Sequence, residues 1–251
     1  MLHDDVFRNR LSTGFLGIAC GLTLFLFLAA VACGREVDEN CLLDQSPSFS
    51  PIILTTEDNI ALCGRLYGSA GRAVVLAHGW SEDQSDWAET AESLSSQGYL
   101  VLTFSFRGHG LSAGEQESVK LVMDLDAALS YLLSQGIQEW FLIGSGTGGT
   151  AAIHAATNDN SLGMILLSAS TEVEGIKALG KIPAVKVPKL LIVAEKDIGA
   201  HNSSVAYFDA AVAPRILEVF SGDDHGTALL TGVHSGLVNR RISDFLEAYR
   251  R

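Results

Sequence analysis

The 251-residue chain is 47% hydrophobic and only 18% charged, with a formal net charge of −12. That is enough apolar material for one domain with a full core. The acidic balance argues against nucleic acid or an anionic membrane surface as partner, since either is met by a basic face.

In chain order, Arg8 and Arg10 precede Leu11 to Gly34, a run of 24 residues without charge that contains Ala30-Val31-Ala32 near its end. A basic start, an apolar middle and small residues at the cut positions are the plan of a secretory signal. Cys33 directly after Ala-Val-Ala also resembles a bacterial lipoprotein signal, in which that cysteine is lipidated and becomes the new N-terminus. A cleaved signal without lipid and an uncleaved membrane anchor are the alternatives, because 24 uncharged residues are enough to span a bilayer. Each places everything after Gly34 outside the cytoplasm, so the expectation is an exported, membrane-anchored protein. Residues 1–33 are read as the targeting segment, 34–51 as a charged and then aperiodic tether, and 52–251 as the folded domain. Cys41 and Cys63 remain in the mature part, where an exported pair forms a disulfide or stays as two small unpaired residues. No cysteine has metal-site spacing, and neither metal nor organic cofactor is expected.

After the tether the pattern becomes regular. Ile52–Thr55 and Ile60–Tyr67 read as a hairpin about Glu57-Asp58-Asn59. Six short apolar runs follow: Ala73–Ala77, Tyr99–Phe104, Trp140–Gly144, Met164–Leu167, Leu190–Ala194 and Ile216–Phe220. The first five are unbroken by charge, the last carries only Glu218, and each is separated from the next by enough chain for a crossover, as in a parallel sheet covered on both faces. The helices are expected at Gln84–Gln97, Ser118–Gln135, Gly149–Asn158, Ser203–Ala213 and His234–Tyr249, with a short helical pattern at Val173–Leu179.

Open α/β sheets bind ligands at the carboxyl ends of their strands. Those ends carry His78-Gly79-Trp80-Ser81, Ser105-Phe106-Arg107-Gly108-His109-Gly110, Gly144-Ser145-Gly146-Thr147-Gly148-Gly149, Ala194-Glu195-Lys196-Asp197 and Ser221-Gly222-Asp223-Asp224-His225-Gly226. The third is the strand, tight turn and helix of a nucleophile elbow, usually spelled G-x-S-x-G. With Gly144 and Gly148 as the flanking glycines, Gly146 stands at the tip, where a serine is expected. Ser145 at the tip puts β-branched Ile143 and Thr147 at the crowded flanks. Thr147 at the tip puts a β-branched residue where φ is positive. Both remain as alternative sources of a hydroxyl.

Five motifs in this order at strand ends resemble the α/β-hydrolase superfamily, from about Ile52 to the C-terminus. The resemblance implies a mostly parallel sheet with helices on both faces. Residue by residue it makes Asp197 the acid that orients a histidine, His225 the general base, and the backbone N–H groups of Trp80 and Thr147 the oxyanion donors. It makes Arg107 and His109 part of a structural loop. His154, His201 and His234 carry no motif. Ser168 to Lys189, where this family often inserts a cap domain, is only about twenty residues, so a shallow, open pocket is expected. The ligand class implied is a small ester, acyl or amide compound. Because Gly146 lacks a hydroxyl, three functions follow: a weakly active or ligand-binding descendant; a hydrolase using Thr147, Ser145 or a water activated by His225; or an interaction module with a vestigial pocket.

Overall fold

The computed structural model describes residues 40–44, 46–69, 71–157 and 160–250. Residues 1–33, for which a targeting role is expected, and Cys33 with them, lie outside the described residues. No helix among the described residues is long and apolar enough to cross a membrane.

A helical turn, α1 (Asn40–Leu43), precedes the hairpin β1 (Phe49–Thr55) and β2 (Ala61–Tyr67), which pairs Ile53 with Cys63. The chain continues through β3 (Ala73–Ala77), a 3-10 turn at Gln84–Trp87, α2 (Ala88–Ser96), β4 (Leu100–Phe104), α3 (Leu121–Ser134) and β5 (Trp140–Ser145). Then come α4 (Gly146–Ala155), β6 (Ser161–Leu167), a ribbon of β7 (Glu172–Val173) and β8 (Ile176–Lys177), β9 (Lys189–Ala194), α5 (Ile198–Ala210), β10 (Arg215–Phe220) and α6 (Ser235–Ala248). Eight strands form one sheet in the order β1-β2-β4-β3-β5-β6-β9-β10. Only β2 runs against its neighbours; every other pair in this sheet is parallel.

The unbroken apolar strands have the packing such strands need. From β3, Ala73, Val75 and Ala77 join Leu125, Leu129 and Ala152 of α3 and α4 in one core. Val74 and Leu76 join Trp87, Leu94, Val238 and Ile242 on the opposite face. The sheet is therefore covered on both sides, as the α/β-hydrolase resemblance requires.

Four expectations are corrected. β1 extends back to Phe49, into the stretch read as a tether; it is one of the sheet's two edge strands, where Pro51 is tolerated. α4 begins at Gly146 rather than Gly149, because the tight turn feeds the helix with no spacer. α5 begins at Ile198 rather than Ser203: Gly199 to Asn202 carry no apolar stripe to announce the turn, and the helix opens with the His201 N–H donating to the Asp197 carbonyl at 2.7 Å. Val173–Leu179 is not a helix. Glu174-Gly175, with Gly175 at φ +82°, forms a two-residue loop that reverses the chain into the β7–β8 ribbon.

Cys41 and Cys63 are bonded, tying α1 to β2. Cys63 lies beside Ser105, whose N–H donates to its carbonyl, so the bridge sits at the carboxyl end of β4. It closes a loop with a sequence separation of 22. Cys41→Ser should therefore lower unfolding stability by about 3 kcal/mol. A denaturant midpoint unchanged from the parent protein would show that the bridge contributes nothing.

Candidate active site

Sterics set the turn between β5 and α4. A Cβ on Gly144 would lie 2.4 Å from the Gly149 Cα, and one on Gly148 would lie 2.4 Å from the His78 carbonyl oxygen. Gly149 is closed in the same way, 2.7 Å from the Ala169 Cβ. Gly146 differs. Its φ is +47°, yet a Cβ there would meet nothing closer than His225 Nε2 at 3.4 Å and the Gly79 Cα at 3.6 Å. The tip is strained in backbone and open in space, as a side-chain-bearing tip needs.

The other two hydroxyls are shut away. Ser145 is fully buried and its Oγ donates to Glu82 Oε1 at 3.0 Å. Thr147 Oγ1 is buried with no hydrogen-bond partner among the described residues.

Two neighbouring loops bring Asp197 to His225. The Glu195 N–H donates to the Phe220 carbonyl at 2.8 Å and the Lys196 N–H to the Gly222 carbonyl at 2.9 Å, which laces the end of β9 to the end of β10. His225 Nδ1–H then donates to Asp197 Oδ2 at 2.6 Å. A carboxylate only accepts, so the proton is on Nδ1 and Nε2 is left facing the Gly146 tip. The His225 side chain is 55% exposed, so the site is open on that side.

The loop after β3 is braced from below. The Phe106 N–H donates to His78 Nε2 at 2.9 Å, which fixes the tautomer, and His78 Nδ1–H donates to the Gly79 carbonyl at 2.7 Å. Burial pushes the His78 ring down to about 4, against the favourable Gly79 carbonyl. His109 Nε2 lies 2.8 Å from the Trp80 carbonyl and Nδ1 2.9 Å from that of Arg107. Arg107 is itself buried and paired with Asp124 at 2.6 Å and Asp58 at 2.9 Å. These residues shape the loop that carries the Trp80 N–H. His234 Nε2, 2.7 Å from Ser221 Oγ, braces the loop before His225.

The structure thus brings together Gly146, His225, Asp197 and the Trp80 loop, with Thr147 in the first turn of α4. Sequence reasoning missed Glu82 and Thr227. Thr227 donates to Glu82 from both its N–H, at 3.1 Å, and its hydroxyl, at 2.8 Å. The only available signal was an acidic residue three positions after Gly79.

The same substitution at two glycines separates these roles. Gly146→Ala should cost only the 1–2 kcal/mol of a left-handed non-glycine residue. Gly148→Ala forces backbone apart and should cost at least about 3 kcal/mol, read by urea unfolding. Equal costs would mean that the turn is not built as described. His78, neutral in the fold, should titrate near pH 4 by NMR rather than near 6.5. Because its folded value is depressed, the unfolded chain takes up the proton first. Stability is lost as pH falls from 6.5 towards 4, by up to about 3 kcal/mol from this residue.

The serine aminopeptidase S33 family matches residues 68–211, more than half of the chain. An uncharacterised protein of Mycobacterium tuberculosis is 26% identical over 192 residues, covering 74% of this chain and 66% of its own length. A monoglyceride lipase homologue of monkeypox virus is 32% identical over 119 residues, 44% of this chain and 43% of that protein. The chain therefore spans about two thirds of the length of the one relative and less than half of the other. An esterase of Pyrococcus furiosus superimposes with a TM-score of 0.70 at 21% identity, over 81% of this chain and 91% of that one. The match in sequence, with the eight-stranded sheet and its glycine elbow, means that this chain belongs to the serine aminopeptidase S33 family of the α/β-hydrolase superfamily.

Proposed function

We propose that the protein holds a small ester or acyl ligand in an open α/β-hydrolase site and hydrolyses it slowly, with water in place of the serine hydroxyl. The observation that carries this is His225 Nε2, held by Asp197 and aimed at the empty side-chain position of Gly146, 3.4 Å away. The burial of Ser145 and Thr147 Oγ1 favours water over either hydroxyl as the attacking group. The names of the relatives, an esterase and a monoglyceride lipase homologue, support an ester as substrate class.

The chemistry follows from the positions. A water at the tip gives its proton to His225 Nε2 while its oxygen attacks the ester carbonyl carbon. The carbonyl oxygen takes the negative charge and is met by the N–H groups of Trp80 and Thr147. Asp197 stabilises the imidazolium. When the tetrahedral centre collapses, the alkoxide leaves with the proton from Nε2, giving acid and alcohol. Losing the serine of such a triad costs about a million-fold in turnover. From an ordinary rate of about ten per second, on the order of one event per day remains. Ligand binding is therefore the larger part of the function. Export and membrane anchoring through Cys33 or the run before it belong to the same proposal, on the sequence pattern alone.

Gly146→Ser should raise hydrolysis of a short p-nitrophenyl ester by at least about a hundredfold and make the protein label with a serine-directed phosphonate. His225→Ala should abolish both the gain and the residual rate. Fast turnover by the unmodified chain would overturn the slow-water reading, and Gly146→Ser that neither labels nor hydrolyses would overturn the assignment of the tip.

A further inference from the structure

The loops that carry Trp80, Gly146 and His225 meet at one carboxylate. Glu82 Oε2 accepts the Gly79 N–H at 2.6 Å. Its Oε1 accepts the Ser145 hydroxyl at 3.0 Å, the Thr227 N–H at 3.1 Å and the Thr227 hydroxyl at 2.8 Å. Each donor stands beside a group of the site. Gly79 precedes Trp80, Ser145 precedes Gly146, and Thr227 follows His225 by two.

The fit is close enough to dictate a glycine. A Cβ on Gly226, where φ is +59°, would lie 2.7 Å from Glu82 Oε1 and 2.4 Å from Ser145 Oγ. Helix capping does not explain the arrangement, because the next residue does that work. Asp83 accepts the Ser85 N–H at 2.6 Å and completes a capping box with Asp86. Glu82 is left to join segments 63 and 145 residues away in sequence. Hydrogen bonds to an ionised carboxylate are about twice as strong as neutral ones, and four shared by three loops hold them as a unit.

We propose that Glu82 is the positioning residue of this site: its carboxylate sets the spacing of the Trp80 loop, the elbow tip and the His225 loop. This rests on the site reading given above, but its test needs no turnover. In the full-length chain, the thiol of Gly146→Cys reports its distance from His225, because an imidazolium partner lowers a thiol's pKa and raises its thiolate fraction near neutrality. Alkylation by iodoacetamide at pH 6 is followed by mass spectrometry of the tip peptide. The expected result is a rapid reaction that slows by about tenfold or more when Glu82→Gln is added, the loss that a displacement of the pair on the order of 1 Å brings. Asp83→Ala, which removes only the cap, lowers the melting temperature and leaves the rate in place.

An unchanged rate in Glu82→Gln overturns the proposal. Slow alkylation in Gly146→Cys itself, indifferent to His225→Ala, overturns the site reading and the proposal with it. Should Glu82→Gln fail to fold, Thr227→Val and Ser145→Ala each remove one arm. A smaller slowing from both supports the clamp, and none from either refutes it.

Discussion

The structure depends on the absence of space at the β5–α4 turn. Gly148 packs so closely that a single methyl would reach the backbone oxygens of Ala77 and His78. The start of α4 is thereby pressed against the end of β3, and the Trp80 loop leaves from that same point. Glycine sterics thus bring the elbow against the strand from which the Trp80 loop leaves. At the tip itself the constraint is of another kind. A φ of +47° favours glycine by 1–2 kcal/mol over any side chain. A side chain at this position carries that strain, and glycine is free of it.

The Asp197–His225 pair is governed differently. Two backbone hydrogen bonds between the loops after β9 and β10 fix where the side chains stand, whatever those side chains are. Geometry alone therefore does not explain why the residues are aspartate and histidine. Stability does not explain it either, since an exposed pair of this type contributes at most about 1 kcal/mol. What remains is the chemistry of an oriented imidazole beside an empty position.

Much of this was legible before any coordinates. Most of the parallel strands announced themselves as short apolar runs nearly free of charge, and the elbow register by the flanking glycines Gly144 and Gly148. The β7–β8 ribbon and the start of α5 were not legible. In both, short segments take their conformation from a turn glycine or from a backbone hydrogen bond to the preceding loop, neither of which leaves a periodic trace. Ser145 and Thr147 looked like alternative nucleophiles because a sequence lists hydroxyls without saying which are buried. Glu82 was invisible for a related reason: its partners are 63 and 145 residues distant, and nothing in a local pattern marks a carboxylate whose donors arrive from other loops.

The consequence of a glycine tip is best stated in terms of what the site still recognises. Catalysis depends on interactions that are stronger in the transition state than in the ground state. In a serine triad the covalent path supplies much of that difference, and Gly146 has no hydroxyl to offer it. In the reading proposed, the His225 imidazole and the backbone donors act on a ligand's carbonyl group before any bond is made, and the open space at Gly146 has room for a water or a ligand oxygen. Such a site loses rate far faster than it loses affinity. On the function proposed, a glycine at the tip suits the site to holding an ester more than to cleaving it, and Glu82 joins the three loops around that ligand.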